Sequence, residues 1–400
     1  MEAKKHSWHG SKQIGMMIYT AILFLIGTSI IGGNNNTVFP MFSEIRGWDV
    51  NVINVVSGLA CIAKAIGVLV LARVVKKTGA KNLTTVTLIL SALLLIVFGT
   101  TKSLPLFLIV ILIIGFLGGG YEKNGGMTLT ASWWPTKKGI VLGFTTMGIV
   151  AMNFLYVPMM PKLLGKLGLG GGMTVIAVIL IIVAIITAIC VKNNPEEAGE
   201  YPDGDPTYAV NGAEIAQMMK EYKSPFTIGK VLKDKNTWFI GLGSALAFLA
   251  VMSYIASAIF AVGGIMGIVG SFIFGIIDQK IGTKKAFVAY FVFIIIGFVA
   301  LLGMPKGLTF CWISGVVIFA AQGALCNLLP SYVASKYGRW DYTAGYQVIG
   351  TIFEIGAGIG VMMTGFFAGN IMGMYIFDIV VLVIGLIFMA LSSDKFIGKR

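Results

Sequence analysis

The chain has 400 residues, of which 57% are hydrophobic and only 12% charged, and its formal net charge is +13. Too few charged residues are present to cover the surface of a soluble protein of this size, so the composition excludes that class and predicts a protein of the lipid bilayer. Most Lys and Arg residues stand between the apolar segments, where positive charge orients a membrane protein and predicts no nucleic-acid partner.

Apolar segments long enough to cross a bilayer recur along the whole chain. A membrane-spanning helix needs about 20 mostly apolar residues, because lipid offers its backbone no hydrogen-bond partner. Lys and Arg are concentrated on the side of both termini, which the positive-inside rule assigns to the cytoplasm. We therefore expect a multi-pass protein of the cytoplasmic (inner) membrane with both termini in the cytoplasm. The predicted spans, numbered 1 to 12, are 14–36, 50–71, 83–101, 105–131, 138–161, 172–191, 237–256, 259–277, 286–303, 309–331, 342–367 and 371–391.

Two landmarks repeat at nearly the same offset. Lys-Thr-Gly-Ala-Lys at 77–81 returns as Lys-Ile-Gly-Thr-Lys at 280–284, an offset of 203 residues, and the glycines at 143 and 148 match those at 345 and 350 at an offset of 202. This agreement predicts two similar halves in the same order, as in transporters built from repeats. The predicted domains are an N-terminal six-helix bundle (1–191), a cytoplasmic linker (192–236) and a C-terminal six-helix bundle (237–400).

The linker is the only long polar stretch. Its first part is turn-rich and acidic, and segments 213–223 and 227–235 are expected to form short helices on the membrane surface. Its length and composition favour a tether between the halves over a regulatory element.

The pattern resembles a known family. Two parallel six-span halves, a central polar loop and basic glycine-containing loops after spans 2 and 8 resemble the major facilitator superfamily over the whole chain. Three segments, at 134–139, 194–204 and 278–285, are similar to the oxalate/formate antiporter group of that superfamily. The resemblance implies an all-α membrane protein with twelve transmembrane helices in two pseudo-symmetric six-helix bundles, the major facilitator fold. It also implies a monomeric secondary active transporter that works by alternating access, with small carboxylates as the default substrates.

The loops after spans 2 and 8 resemble a gating latch on the cytoplasmic face. The superfamily's first loop usually carries an aspartate shortly before its glycine, but residues 72–79 contain none, and only the second copy keeps an acid. The latch would therefore depend on Asp278 and the residues around it. The alternative is that the basic residues only orient the helices. The remaining candidate gating residues are Arg73, Lys77, Gly79, Lys81, Lys280, Gly282 and Lys284.

The substrate cations of the subgroup are missing. Oxalate transporters of this group resemble one another in having basic residues on spans 8 and 11, whereas span 8 here has no charge and span 11 carries Glu354. We therefore expect a monocarboxylate or related organic anion rather than oxalate, taken up with protons or exchanged for a counter-anion. A carrier for a zwitterionic or amphipathic solute, or a receptor that does not transport, stays open.

An enzyme is not expected. The only histidines, His6 and His9, lie in the N-terminal tail, and the four cysteines show no metal-ligand spacing. The sequence therefore predicts no catalytic cluster, no metal and no cofactor.

Apart from Lys138, the first residue of span 5, five charged residues fall inside predicted spans: Lys64, Glu122, Lys123, Glu354 and Asp378. A charge near the middle of a bilayer costs at least a few kcal/mol, so each should face protein or water and have a partner. Spans 2 and 11 pack together in the superfamily, and Lys64 and Glu354 lie at roughly 12 and 18 Å from the cytoplasmic ends of their spans. We predict an ion pair between them that changes during transport, with a static pair as the alternative.

Glu122 and Lys123 are neighbours, so on a regular helix their side chains point about 100° apart. One hypothesis makes Lys123 the anchor for a substrate carboxylate and Glu122 the proton-coupling group. The other pairs Glu122 with Lys64 and lets Lys123 reach the cytoplasmic surface. Asp378 on span 12 is expected to have a structural role, helped by the helix dipole or nearby water.

Polar neutral residues complete the predicted site. The end of span 1, at 32–37, is expected to unwind and offer amide groups to a ligand. Spans 7 and 8 together have so few residues that almost no loop is left between them, with a turn near Ser257 or at 263–264. The polar residues expected to line the cavity are Tyr121, Asn153, Tyr156, Gln322, Asn327, Tyr346 and Gln347.

Overall fold

The computed structural model describes residues 10–32, 37–135, 137–206, 218, 221–257, 263–367 and 370–399. In this part of the chain the regular structure is helical, without strands. The π-helix Gly119–Met127 follows α4, and short 3₁₀ turns occur at Pro195–Ala198, Pro202–Gly204 and Met304–Lys306. The α-helices are α1 (Ser11–Ile31), α2 (Val38–Arg46), α3 (Val50–Thr100), α4 (Leu104–Gly118), α5 (Thr128–Trp133), α6 (Lys138–Ala151), α7 (Tyr156–Cys190), α8 (Ile228–Lys233), α9 (Lys235–Ser257), α10 (Gly263–Ile281), α11 (Thr283–Leu301), α12 (Leu308–Phe366) and α13 (Ile371–Leu391).

Glycine breaks divide three of the longest helical segments. Among the described residues, nine segments are long and apolar enough to cross a bilayer. Three of them contain a glycine with positive φ, namely Gly79 (80°), Gly168 (69°) and Gly338 (70°). Glycine adopts this conformation without steric cost, so the chain reverses there instead of continuing as one rod. Counting each divided segment as two gives twelve spans, which confirms the predicted all-α, twelve-span architecture.

Several helices run beyond the predicted spans on the side of the termini. α10 ends at Ile281 rather than 277, and the first part of α12 continues to the break at Gly338 rather than ending at 331. The apolar pattern marks only the part that lipid covers, whereas the helix continues where water can solvate its end. The predicted unwinding after α1 falls mainly on residues 33–36, which lie outside the described residues.

The first two spans of the N-terminal half are joined by more residues than the first two spans of the C-terminal half, and the structure shows what these residues form. The additional residues of the first half form α2, whose Phe42 ring lies 5.2 Å from the rings of both Phe98 and Phe107. In the second half α9 and α10 have 23 and 19 residues, each long enough to cross the hydrocarbon core. The turn was predicted near Ser257 or at 263–264; Ser257 is the last residue of α9 and Gly263 the first of α10, and the connection at 258–262 lies outside the described residues.

Large apolar side chains cover much of the outer surface. Ile182, Ile185 and Ile189 on α7 are 51%, 53% and 70% exposed, and α13 exposes a similar face. Such a surface needs lipid around it, because water would make it an aggregation site. Inside, the buried apolar residues form two clusters, one within residues 16–191 and one mainly within 231–389. The boundaries of the two six-helix bundles stay a prediction.

Two helix pairs form the seam between these clusters, and both bring backbones close together. α3 packs against the second part of α12, where a Cβ on Gly358 would lie 2.8 Å from the carbonyl oxygen of Gly58. α6 packs against α10, where a Cβ on Gly143 would lie 3.0 Å from the carbonyl oxygen of Ser271. Contacts this close allow helices to rock against each other without large side chains in the way.

The first part of the linker packs against the helical body, and its role as a tether between the halves stays a prediction. Glu196 receives two hydrogen bonds from the Arg339 guanidinium, at 2.9 and 2.8 Å, and the Asp203 carboxylate accepts one from the backbone N–H of Lys137 at 2.9 Å. The acidic residues that suggested a solvated loop are therefore ligands for groups of the helical body. The predicted helix at 227–235 forms as α8, whereas the one at 213–223 falls mostly outside the described residues.

Candidate functional site

Four charged side chains meet in the interior and form a closed ring of ion pairs, which we call the tetrad. Lys64 Nζ lies 3.0 Å from Glu122 Oε2 and 3.3 Å from Glu354 Oε2. Lys123 Nζ lies 2.9 Å from Glu122 Oε1 and 3.0 Å from Glu354 Oε1. Each cation thus contacts both anions, and the two positive and two negative charges cancel. The predicted contact between Lys64 and Glu354 is present, and its change during transport stays a prediction.

A π-helix explains why Glu122 and Lys123 both reach the tetrad, which corrects the expectation that they point apart. Residues Gly119–Met127 form i→i+5 hydrogen bonds, so each turn holds more residues and successive side chains diverge less than on an α-helix. Asn124 donates from Nδ2 to the carbonyl oxygens of Val68 and Gly119, at 3.0 and 2.9 Å. Lys123 is 3% exposed, so the alternative that it reaches the cytoplasmic surface is wrong.

Glycines bring the π-helix against α3 and so place Lys64 beside the other charges. A Cβ on Gly119 would lie 2.6 Å from both the Lys64 carbonyl oxygen and the Val68 nitrogen. Further along the same contact, a Cβ on Gly115 would lie 2.4 Å from the Ala60 carbonyl oxygen. Any larger residue would push the two backbones apart, and the tetrad depends on this distance.

The contacts of the two lysines differ in geometry. The contact of Lys64 with Glu122 is also a well-directed hydrogen bond. Glu122 Oε1 and Glu354 Oε1, the two atoms nearest Lys123, have no partner at hydrogen-bond angles within the described structure. Lys123 therefore contacts both carboxylates at short distances, but at less favourable angles than Lys64 contacts Glu122.

A cavity of about 60 Å³ adjoins the tetrad. It extends away from the side of the termini, between α1 and α9, and most of its lining is apolar. Gln322 lies in the lining and is 1% exposed, and neither its Oε1 nor its Nε2 has a partner in the described structure. The main apolar lining residues are Ile31, Ile149, Met152, Phe248, Met252 and Val361.

On the side of the termini the interior is closed. Thr128 of α5 and Thr343 of α12 have their hydroxyl oxygens 3.5 Å apart, and the Tyr342 and Tyr346 rings stack with centroids 5.3 Å apart. The bidentate contact of Arg339 with the linker lies on the same side. The tetrad therefore lies towards the closed end of the cavity.

The predicted site residues separate into two groups. Lys64, Glu122, Lys123, Gln322 and Glu354 line the cavity, together with Cys61 and Cys326, which sequence reasoning treated as core residues. The other group lies away from the cavity lining, within the helix packing. It comprises Tyr121, Asn153, Tyr156, Asn327, Tyr346 and Gln347.

Two of that second group have partners that account for their positions. Gln347 donates from Nε2 to the carbonyl oxygen of Ala344 at 3.0 Å, within its own helix. Asn327 donates from Nδ2 to the carbonyl oxygen of Ser271 at 2.9 Å, across the contact of α12 with α10. Their polar groups therefore contribute to helix packing in this state, rather than facing a ligand.

The predicted gating residues are not joined by ion pairs in the described part of the chain. Asp278 is buried and accepts a hydrogen bond from Ser331, and Lys81 donates its backbone N–H to Asn193 at 2.9 Å. Gly79 and Gly282 both have positive φ and form the turns of their loops. A gating role for these loops stays a prediction. The basic side chains of Arg73, Lys77 and Lys280 are exposed, and those of Lys81 and Lys284 are partly exposed.

Asp378 is placed differently from its prediction. It is fully buried and lies beyond the first turn of α13, away from the helix start where the dipole would stabilise it. Ser253 of α9 lies 2.5 Å from its Oδ2.

Comparisons with known proteins agree with this architecture. The family model of the Major Facilitator Superfamily matches residues 18–262. Among solved structures, a proton:xylose symporter, XylE, bound to 6-bromo-6-deoxy-D-glucose, is similar over 94% of both chains, with a TM-score of 0.65 and 14% sequence identity. No curated protein matches the chain in sequence. The match covers more than half of the chain and the twelve spans agree with it, so this protein is a multi-pass membrane transporter, not an enzyme, and belongs to the major facilitator superfamily.

Proposed function

We propose that the chain carries a small monocarboxylate together with a proton across the cytoplasmic membrane by alternating access. The observation that carries the proposal is the neutral tetrad at the closed end of the cavity. In this proposal the termini are cytoplasmic and the cavity opens to the outside. The chain would then be a member of the oxalate/formate antiporter group with a substrate site of its own.

The charge balance of the tetrad favours a proton and a monoanion together. A carboxylate that enters alone would add an uncompensated negative charge to a buried site, which is costly. Protonation of Glu122 or Glu354 removes one negative charge and leaves the lysines with an excess of one positive charge. A substrate carboxylate can then take the place of the neutral glutamate beside Lys123, and the site is neutral again.

The cavity lining supports a substrate with an apolar part. Phe248, Met252 and Ile149 offer no hydrogen bonds, so a sugar with many hydroxyl groups would lose its bonds to water there. Gln322 offers one unpaired acceptor and an amide donor group, which suit the carboxylate or a hydroxyl beside it. A dicarboxylate such as oxalate would bring a second charge for which the tetrad has no free cation.

Two other functions remain candidates because the tetrad carries both signs of charge. A zwitterionic solute could place its ammonium group near a glutamate and its carboxylate near a lysine. Exchange of one anion for another would use the same lysine contacts without proton uptake. A receptor would bind the same ligands but give no flux.

Uptake into proteoliposomes of the purified full-length chain tests the proposal. We expect lactate and 3-methylbutanoate to enter faster when the interior is more alkaline than the medium, and oxalate and xylose to enter no faster than in empty liposomes. The empty liposomes measure passive entry of the neutral acids. Uptake of xylose, or no monocarboxylate uptake above this background, would contradict the proposal. Ligand-induced thermal stabilisation without uptake would favour the receptor.

The variant Glu354→Gln separates proton coupling from binding of the substrate anion. The variant keeps two lysines and one glutamate in the tetrad, so its site has the positive charge that a proton would otherwise create. We expect exchange of internal for external anion to persist while the acceleration by the pH gradient disappears. Glu44→Gln, at an exposed acid on α2, is the matched control and should behave like the wild type.

A further inference from the structure

Asp378 is a buried acid that neither the tetrad nor the cavity includes. Its side chain is fully buried on α13, where its Oδ2 lies 2.5 Å from Ser253 Oγ. Its other oxygen, Oδ1, has no hydrogen-bond partner among the described residues. None of the ion pairs in the described part of the chain involves it.

These surroundings disfavour an ionised carboxylate. A buried negative charge is stable only with a cation or with several hydrogen bonds, and Asp378 has neither in the described structure. Ser253 also serves the backbone, since its Oγ lies 2.9 Å from the carbonyl oxygen of Ala250. A hydroxyl has one hydrogen, so Ser253 cannot donate to Ala250 and to Asp378 at the same time.

The neutral acid gives every hydrogen in this group an acceptor and leaves Oδ1 as an uncharged acceptor. A proton on Asp378 Oδ2 is donated to Ser253 Oγ, and the hydroxyl of Ser253 is donated to the carbonyl oxygen of Ala250. Each hydrogen then has an acceptor. In the ionised form the Ser253 hydrogen would turn to Asp378, Ala250 would lose this bond, and Oδ1 would carry charge without a donor.

The neighbouring helices supply no charge that would change this balance. Tyr254 follows Ser253 on α9, Tyr375 stands one turn before Asp378 on α13, and their rings lie 6.2 Å apart; both tyrosines, and Cys311 beside Tyr254, are uncharged when protonated. The charged residues on the packed helices lie at the side of the termini or in the tetrad. They are Lys235 on α9, Lys284 and Lys285 on α11, and Lys336, Arg339, Asp341 and Glu354 on α12.

We propose that Asp378 is a second proton-binding site, occupied in this state, that fastens α9 to α13. Ser253 belongs to the same part of α9 as Phe248, Met252 and Ile255, which line the cavity on another face of the helix. Loss of the proton reverses the hydrogen bond between Ser253 and Asp378, takes the Ser253 hydroxyl away from Ala250 and leaves an uncompensated buried charge between α9 and α13. Proton occupancy at Asp378 is thereby linked to the position of a helix that borders the cavity, whatever solute the cavity binds.

Infrared difference spectroscopy on the full-length protein in lipid tests the proposal without a substrate. At neutral pH we expect the wild type to show a carbonyl-stretching band of a protonated carboxyl group that is lost completely in Asp378→Asn. In Ser253→Ala the band should persist at a shifted frequency, because the carboxyl hydrogen loses its acceptor. Asp394→Asn, at an exposed acid in the C-terminal tail, is the matched control and should leave the band unchanged.

Two results would overturn the proposal. One is a wild-type spectrum at neutral pH that is identical to that of Asp378→Asn in the protonated-carboxyl region. The other is loss of the band when Na⁺ is added at constant pH, which would mean that the oxygens bind a metal cation instead. The amide of Asn matches the neutral acid in shape, so this variant should fold. If it does not fold, a shifted band in Ser253→Ala supports the proposal, and an unshifted band contradicts it.

Discussion

Lys123→Met is expected to destabilise the protein by about 3–5 kcal/mol, because it leaves two buried glutamates with one lysine. Glu354→Gln creates the opposite imbalance and should cost a similar amount. The double variant Lys123→Met/Glu354→Gln removes two groups that lie 3.0 Å apart and leaves Lys64 paired with Glu122 at 3.0 Å. Because this remaining pair is neutral, we expect the double variant to cost only about 0–2 kcal/mol.

The free energy of unfolding, measured in detergent by denaturant titration, gives the coupling between the two positions. The double variant should be more stable than either single variant, with a coupling energy of more than about 2 kcal/mol. Lys166→Met, at an exposed lysine on α7, is the control and should change stability by no more than about 0.5 kcal/mol. If the losses of the two single variants simply add in the double variant, the charges do not act as one neutral unit and the reasoning fails.

Three further predictions concern single positions. Gly119→Ala should lose transport and stability together, because its Cβ would lie 2.6 Å from the α3 backbone; a variant with normal uptake and melting temperature would contradict this packing. Gln322→Leu should raise stability by about 1–3 kcal/mol, since it removes unpaired buried polar atoms, and should weaken ligand-induced thermal stabilisation. Burial opposes ionisation of Asp234, but the Asn236 backbone N–H and Lys336 outweigh it and lower its pKa. The contribution of the Asp234–Lys336 interaction to the free energy of unfolding should therefore be complete above the ordinary aspartate pKa and disappear as the pH falls through the lowered one. If the stability of Asp234→Asn falls with acid in the same way as that of the wild type, this prediction is contradicted.

The sequence predicts the spans because a helix that crosses lipid must be mostly apolar along its whole length. Length and apolarity therefore mark the twelve spans, and the glycine turns repeat at Gly79 and Gly282. The ends are less well predicted, since beyond the lipid the pattern no longer distinguishes helix from loop. α2 has only nine residues and gives no span-length signal, so the sequence showed it only as extra residues in the first hairpin.

The tetrad was predictable in its members but not in its geometry. Rare charges inside spans identify Lys64, Glu122, Lys123 and Glu354. The resemblance to the superfamily, in which spans 2 and 11 pack together, pairs Lys64 with Glu354 at similar depth. The convergence of Glu122 and Lys123 depends on a π-helix, which regular helical periodicity does not reveal. The glycine-rich stretch around them was the available signal, because small residues let the π-helix approach α3.

Other polar residues show where side-chain type alone misleads. Asn327 and Gln347 look like ligand-binding groups, yet both have backbone partners, and a single sequence does not show which carbonyl oxygens are free. Cys61 and Cys326 look like core residues and line the cavity, because small side chains there leave the space. The acidic residues of the linker look solvated, but Arg339 lies too far away in sequence for the pairing with Glu196 to be inferred.

The balance of charges within the tetrad also has an electrical consequence. Moving one elementary charge across a membrane at 100 mV changes the free energy by about 2.3 kcal/mol. In the proposed cycle the charges of the two lysines and two glutamates sum to zero, so the empty carrier would return to its starting orientation without work from these groups against the membrane potential. A proton that travels with a monoanion adds no charge either. The whole cycle would then draw on the pH difference across the membrane and not on its voltage.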